Sequence, residues 1–336
     1  MKTKVALITG GYTGEAEVSL KSSAFVHSQL NQDTYEIYPI VISRNGWYYD
    51  TETGTRILID KEDFSLTIDG QKVIFQIAFI TLHGTPGEDG RIQGYFDMIG
   101  LPYTSSGALT SALTMNKGYT KAIVAGIENL FVANSVLLFA SDRGRGVEKI
   151  RSTLKLPYFV KPNAGGSSIG MSKVNEVGAL QHALDMAFDA EDTGAQVIVE
   201  EFVQGREFSQ GIYRNAVGEL VVLPATEVRT TREFFDFEAK YTPGLSEEIT
   251  PADLNEEQIA RASAIIRDIY VRLNCAGMVR VDFFLEKDTD RFYFIEINTI
   301  PGQTPQSFIP QQIRAYGMKE TDFYSELIES ALQRRP

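Results

Sequence analysis

Apolar residues fall into two rhythms along this chain, short continuous runs and strict alternation with polar residues. The alternation is sharpest over residues 280–302, RVDFFLEKDTDRFYFIEINTIPG. That stretch predicts two strands joined by a tight loop around Thr289. Strand side chains point to alternate faces, so Arg280 and Asp282 share one face, and Glu296 and Asn298 share one. The hairpin sets Asp282 opposite Glu296 and Arg280 opposite Asn298, with Cβ atoms roughly 5 Å apart. At an effective dielectric of about 20, the two carboxylates then repel by about 3 kcal/mol, which asks for a compensating cation. Asp, Glu and Asn oxygens suit a hard divalent ion such as Mg²⁺. Taken alone, the pattern fits an ordinary half-exposed hairpin equally well. The Thr-Ile-Pro-Gly turn that stops the second strand just past these residues favours a site.

The earlier part of the chain reads as a β-α-β unit. KVALIT (residues 4–9) is a buried-strand run, GGYTGEAEVSLKSSAFVHSQL a glycine turn opening into an amphipathic helix, and YEIYPIVI (residues 35–42) the next strand. Glu15 and Glu17 fall in the first helical turn, where the macrodipole favours acids. Gly10, Gly11 and Gly14 do not form G-x-G-x-x-G, and the second strand ends in Ser43-Arg44 without a ribose-binding acid, which argues against a dinucleotide site. Glu15 is either a helix-end acid or a ligand group at the carboxyl edge of the sheet. Small hairpins are expected around Trp47-Tyr48-Tyr49 and Asp69-Gly70. VIFQIAFITL (residues 73–82) is a buried strand running into the loop HGTPGEDG, a favoured kind of place for function. His83 there is either a base or substrate contact, or a hydrogen bonder that fixes the loop. The helix RIQGYFDMIG and a short strand LPYTSS close a first domain near Ser106.

From Gly107 the pattern is helical, then strand SVLLF, then helix GVEKIRSTLKL. LPYFVKPNAGGSSIGMSKV reads strand, loop, strand, with Lys161 entering the loop and Gly165-Gly166-Ser167-Ser168 inside it. Glycines let backbone N–H groups approach phosphate oxygens, serines add donors and lysine adds a point charge. It is not a Walker loop, since no G-K-[ST] precedes a helix; a plain hairpin loop is the alternative. A helix capped by Asn175, strand AQVIVEEFV and a meander over QGREFSQGIYR and GELVVLPAT follow, with a hinge near Gln204-Gly205. Residues 227–254 form a long polar segment of the kind that serves as a lid or binding loop. NEEQIARASAIIRDIYVRLN is an amphipathic helix capped by Asn255.

Bulk properties narrow the class. A chain of 336 residues with 43% apolar and 23% charged residues is a folded protein of two or three domains. A net charge of −12 argues against nucleic acid or an anionic membrane as partner. The single cysteine, Cys275, excludes an intramolecular disulfide, fits a reducing cytoplasm and, in its apolar setting, reads as a small buried residue. The apolar run after Lys4 is too short for a signal peptide, and no stretch is long enough to span a membrane.

Eight motifs stand together in one order: GGYTGEAEVS, LHGTPGEDG, MNKGYTK, FVKPNAGGSSIG, EEFVQGREF, FFDFEAKY, GMVRVDFF and EINTIPG. Together they resemble the D-alanine–D-alanine ligases of the ATP-grasp superfamily, over roughly residues 4–308. The resemblance implies an α/β chain, α+β in its C-terminal part, with a Rossmann-like substrate domain at 1–106, a central ATP-grasp subdomain at 107–203, and a C-terminal subdomain at 204–336 carrying lid and metal site. It implies ligation of two D-alanines at the expense of ATP, with D-lactate or D-serine ligation as the alternative, in the cytoplasm and as a homodimer. It implies two Mg²⁺ ions, replaceable by Mn²⁺, on Asp282, Glu296 and Asn298. By the same resemblance Glu15 binds the first D-alanine and His83 belongs to the substrate-side loop. Lys117, Lys161 and Ser168 meet ATP phosphates; Glu200, Phe202 and Val203 meet the adenine and Glu207 the ribose. Ser167 links to Glu15 and Tyr241, and Lys240 and Tyr241 sit on the lid. Arg280 and Gly302 form the oxyanion site, and Ser307 and Phe308 the second-substrate pocket. Asn116, Phe235, Phe237 and Phe308 depart from the family's usual residues.

Overall fold

Strand β1 (Thr3–Gly10) has Val5 to Ile8 wholly buried, because both of its faces are covered. Val5 and Leu7 pack into one cluster, with Val26 and Phe79; Ala6 and Ile8 pack into another, with Ile40, Phe64 and Phe96. The structure is a computed structural model and describes residues 2–166, 170–190, 196–230 and 246–334. Helix α1 (Ala16–Gln29) and parallel strand β2 (Tyr35–Ser43) complete the expected β-α-β unit. Strands β3 (Gly46–Asp50) and β4 (Arg56–Leu58) extend the sheet on one side, and β7 (Ile77–Ile80) pairs with β1 on the other. Between them β5 (Leu66–Ile68) and β6 (Gln71–Val73) make a separate hairpin, whose turn residues Asp69 and Gly70 both have positive φ. Helix α2 (Arg91–Ile99) ends this part of the chain. The tract expected as strand LPYTSS supplies only a single bridge, Tyr103 to Ala78.

The helical stretch after Gly107 is two helices, α3 (Ala108–Met115) and α4 (Lys117–Val124), broken at Asn116. Strand β8 (Leu130–Val132) follows, then β9 (Ser135–Phe139), α5 (Gly146–Thr153), β10 (Tyr158–Pro162), β11 (Ser172–Val174), α6 (Leu180–Phe188) and β12 (Gln196–Glu201). Four of these strands make an antiparallel sheet in the order β11-β10-β12-β9, packed on α5 and α6. Asn175 does not cap α6: a 3₁₀ turn at Val177–Ala179 intervenes, and α6 starts from Ala179 with no side-chain cap.

The third sheet has the order β16-β15-β13-β17-β18-β8, formed by β13 (Gly205–Arg214), β15 (Thr226–Thr230), β16 (Ser246–Ile249), β17 (Met278–Glu286) and β18 (Phe292–Asn298), with β14 (Leu220–Val222) also paired to β13. Helix α7 (Glu256–Arg272) covers one face. The register matches expectation, with Arg280 opposite Asn298 and Asp282 opposite Glu296, but it shifts between Asp282 and Phe283. Phe283 pairs with Phe294, so Ile295 is an extra residue on β18. Unbroken alternation would put Phe292 and Phe294 on the face of Glu296; the bulge turns both phenylalanines into the core instead. Helices α8 (Phe308–Tyr316) and α9 (Glu320–Gln333) end the fold, and Phe323, Tyr324 and Leu327 of α9 join the cluster under Val5, Leu7 and Phe79 of the first sheet.

Asn255 caps α7 as expected: its side chain accepts from the Gln258 N–H at 2.9 Å while Gln258 returns a bond to the Asn255 N–H at 3.0 Å. Asn255→Ala should destabilise the protein by about 1 kcal/mol. Urea unfolding measures it; an unchanged midpoint would show that the cap contributes nothing.

Candidate active site

A cavity of about 560 Å³ opens where the three large sheets meet, with walls from each. Its centre is the β17–β18 face. The Arg280 guanidinium donates to both Asp282 oxygens, at 2.9 and 2.8 Å, as two residues apart on one strand face allows. Ser209, directly opposite on β13, donates to Asp282 at 2.6 Å, and the Asn298 amide donates at 3.2 Å. Glu296 is paired with Lys117 at 3.2 Å. The Asp282–Glu296 repulsion read from the alternation is thus met by Arg280 and Lys117. Among the described residues there is no group of three or more His, Cys, Asp or Glu able to hold a metal. Two carboxylates and an amide on adjacent strands nevertheless form a hard-oxygen set that fits Mg²⁺.

One end of the cavity belongs to the first sheet. Glu15 is the N-cap residue of α1, and its carboxylate lies between two glycine backbones: a Cβ on Gly84 would sit 2.6 Å from one oxygen, and one on Gly166 3.0 Å from the other. The glycine loop after β10 therefore reaches across to the first domain. Glu88, unanticipated from the sequence, shares this wall and accepts from the Gly84 N–H at 2.7 Å; burial and the Glu15 charge push its carboxyl up to about 8. The turn carrying Gly302 faces this end. A Cβ on Gly302 would approach the Ser307 hydroxyl to 2.9 Å, and that hydroxyl accepts from the Thr304 N–H at 3.0 Å. Phe308 places its ring 5.4 Å from the Arg280 guanidinium, a cation–π contact. Gln312 anchors α8 behind it: it accepts from the Gly211 N–H and donates to the Ser209 C=O, both at 2.8 Å.

His83 lines the same end, but both ring nitrogens are bonded to protein. A carbonyl only accepts, so Nδ1 donates to the Ile300 C=O at 2.9 Å; Nε2 then accepts from the Ser22 hydroxyl at 3.0 Å. Ser22 in turn accepts from the Gln303 N–H at 3.2 Å. The imidazole clasps α1 to the turn around Gly302.

The other end lies between the second and third sheets. Lys117 donates to the Gly165 C=O at 2.7 Å, and Lys161 pairs with Glu200 at 2.8 Å. Lys121, one turn after Lys117 on α4, also pairs with Glu200 and is buried. Burial raises the Glu200 carboxyl, but the two lysines outweigh it and hold it near 2. Val203 and Glu207 line this end; Phe202 instead packs its ring on Phe159 and under Lys173. Asn116 caps α4 through the Tyr119 N–H at 3.0 Å and donates to Gln196 at 3.1 Å, a bond that an aspartate there would lack. Ser167, Ser168, Lys240 and Tyr241, like Phe235 and Phe237, lie outside the described residues.

The family description "D-ala D-ala ligase N-terminus" matches residues 4–106, and "D-ala D-ala ligase C-terminus" matches residues 132–329. The chain belongs to the D-alanine–D-alanine ligase family. A relative from Parabacteroides distasonis, named D-alanine–D-alanine ligase, is 43% identical over 100% of this chain and 99% of its own. Among solved structures, the VanG D-Ala:D-Ser ligase of Enterococcus faecalis superposes with a TM-score of 0.86 at 30% identity, covering 98% of this chain and 99% of that one. D-alanyl-alanine synthetase A of Vibrio cholerae gives 0.85 at 26% identity, with 99% of both chains covered. The architecture is the ATP-grasp fold of that ligase family. Sequence reading missed Lys121, Glu88 and Ser209. Lys121 was signalled by its four-residue spacing from Lys117, Glu88 by its place in HGTPGEDG.

Burial holds the His83 imidazole well below its ordinary value of 6.5, at about 4, against the opposing Ile300 bond and with help from Arg280. Between those pH values the unfolded chain binds a proton that the folded one excludes. The contribution of neutral His83 is therefore complete above pH 6.5 and declines as pH falls toward 4, by about 3 kcal/mol in total. Urea unfolding across this range should show that extra slope in the wild type and not in His83→Gln; equal slopes would refute the assignment.

Proposed function

We propose that the protein joins two D-alanines to D-alanyl-D-alanine with ATP, releasing ADP and phosphate, for peptidoglycan precursors. The observation that carries this is the cavity itself. It brings Lys117 and Lys161, a hard-oxygen set, an arginine pinned beside that set and the Glu15 carboxylate into one enclosure. The full-length likeness to named D-alanine–D-alanine ligases supports the choice of substrate.

A carboxylate is a poor electrophile, so the first D-alanine is activated by transfer of the ATP γ-phosphoryl group to its carboxylate oxygen. Glu15 holds its ammonium. Lys117 and Lys161 bind phosphate oxygens, with the glycine loop at 165–168 donating backbone N–H groups. Asp282, Glu296 and Asn298 would hold Mg²⁺, two ions for which Mn²⁺ can substitute, and this supplies charge neutralisation at the phosphates. The amine of the second D-alanine then attacks the acyl carbon, and Arg280 with the Gly302 N–H stabilises the developing oxyanion. Arg280 is suited to this because Asp282 and Phe308 hold it in one orientation. Collapse of the tetrahedral adduct expels phosphate and leaves the peptide bond. Ser307 and Phe308 border the second amino acid; Ser167, Lys240 and Tyr241 take the linking and lid roles the family resemblance implies, keeping water from the acyl phosphate.

The domain division proposed is 1–106, 107–203 and 204–336, although Val124, Ile127 and Leu130 pack into the third part. A homodimer rests on the family resemblance. A cytoplasmic setting is supported by a single, buried thiol, pushed up to about 12 by burial, and no helix among the described residues is long and apolar enough to cross a membrane. The likeness to a D-Ala:D-Ser ligase favours one second reading, D-serine as the incoming amine.

Mass spectrometry after incubation with ATP, Mg²⁺, D-alanine, D-serine and D-lactate decides between them. D-alanyl-D-alanine should dominate; a mainly D-alanyl-D-serine product would install the second reading. Glu296→Gln and Asp282→Asn should each cut D-alanine-dependent phosphate release by at least roughly a hundredfold, the upper end of what loss of an outer-shell partner costs. Near-normal turnover in either would remove the metal assignment.

A further inference from the structure

Glu200 is a buried carboxylate with two lysines on it, and only one of them has a place in the phosphate chemistry. Lys121 ion-pairs with Oε1 and Lys161 with Oε2 at 2.8 Å, and all three side chains are about nine-tenths buried. Directly opposite Glu200 in the antiparallel β10–β12 pair is Phe159, so the two side chains share a face, and Lys161, two residues further along, shares it too. Phe159, Met171, Val203 and Ile295 add apolar surface to the cavity lining. A carboxylate in such a slot repels phosphate and attracts a hydrogen-bond donor on a flat, weakly polar group. If Lys161 turned to a phosphate in a site without Lys121, it would leave Glu200 a buried charge with no lysine on it, a strongly unfavourable arrangement. Lys121 removes that obstacle.

We propose that Lys121 is a positioning residue of the nucleotide site. By holding one Glu200 oxygen it aims the other at a donor on the purine and leaves Lys161 able to engage the phosphates. This rests on the ATP-dependent reading above and on the adenine contact the resemblance implies for Glu200. What Lys121 adds is the selectivity of that contact, since a 6-keto purine would set a carbonyl oxygen against the carboxylate it holds in place.

The test is isothermal titration of the full chain with ATP and with inosine triphosphate, each with Mg²⁺ and without D-alanine. Lys121→Met matches the stem length without the charge. It should weaken ATP binding about tenfold, the scale of one charge-assisted hydrogen bond, and lower the ATP-over-ITP affinity ratio by a similar factor. A merely structural residue would lower melting temperature and leave the ratio unchanged. If the methionine variant is too unstable to purify, Lys121→Arg serves. Its fork occupies both Glu200 oxygens, so the charge stays and the ratio should still fall. A wild-type ratio in either folded variant overturns the proposal. D-alanine-dependent phosphate release is measured separately. Its absence in a wild type that binds ATP selectively would sink the ligase reading and leave Lys121 in place. An unchanged ratio in the variant, with normal ligation by the wild type, does the reverse.

Discussion

The fold depends on two carboxylates that face each other across one strand pair. Asp282 and Glu296 are register partners on neighbouring strands, so backbone hydrogen bonding holds them together regardless of their charge. The protein answers from two directions. Arg280 comes from the same strand and forks onto Asp282, and Lys117 reaches Glu296 from a helix outside the strand pair. Each compensating group is also one that a phosphorylated substrate could use. A surface salt bridge of this kind is worth little; here the pairs are largely removed from water, so losing one partner strands a charge. That is why the helix carrying Lys117 is tied down so firmly. Its N-terminus is capped by Asn116, and its backbone is bonded to Asn163 at 3.0 and 2.8 Å.

The same constraint explains why the site needs all three sheets. A hairpin presents its polar groups on one open face, and closing that face puts the lysines and Arg280 in a lower-dielectric enclosure. The first sheet closes one end through Glu15, Glu88 and the His83 clasp. The second sheet closes the other through Lys161 and Glu200. Helix α9 makes the first closure permanent, because Phe323, Tyr324 and Leu327 belong to the core of the N-terminal sheet although they come last in the chain. The Tyr324 hydroxyl also donates to Gln303 at 2.8 Å, tying that helix to the turn around Gly302.

Much of this was legible in the residues and some was not, for identifiable reasons. Alternation predicted the Arg280–Asn298 and Asp282–Glu296 register because period two is a local property. It could not predict the bulge at Ile295, which exists because Phe292 and Phe294 have the same parity as Glu296 but must be buried. Asn255 was readable as a cap because Gln258 completes the reciprocal bond. Asn175 was misread because the chain inserts a 3₁₀ turn before α6. The packing of α9 on the first sheet carries no local signal at all. His83 lines the cavity, and of its two readings the geometry favours the loop-fixing one: both nitrogens are bonded to protein, so the ring holds a turn.

Phe308 supports the central arginine from the side. Asp282 fixes Arg280 in the plane of the carboxylate, which leaves the guanidinium face to be supported from the side. An aliphatic residue there would offer only contact. The phenyl ring 5.4 Å away offers a negative π-face, a contact whose strength grows as water is removed. Because α8 begins at Phe308 and is anchored by Gln312 to the strand that carries Ser209, the ring, the arginine and the aspartate are parts of one rigid unit. Substitution at 308 therefore alters the orientation of Arg280, and under the proposed function it would also alter the room left for the second amino acid.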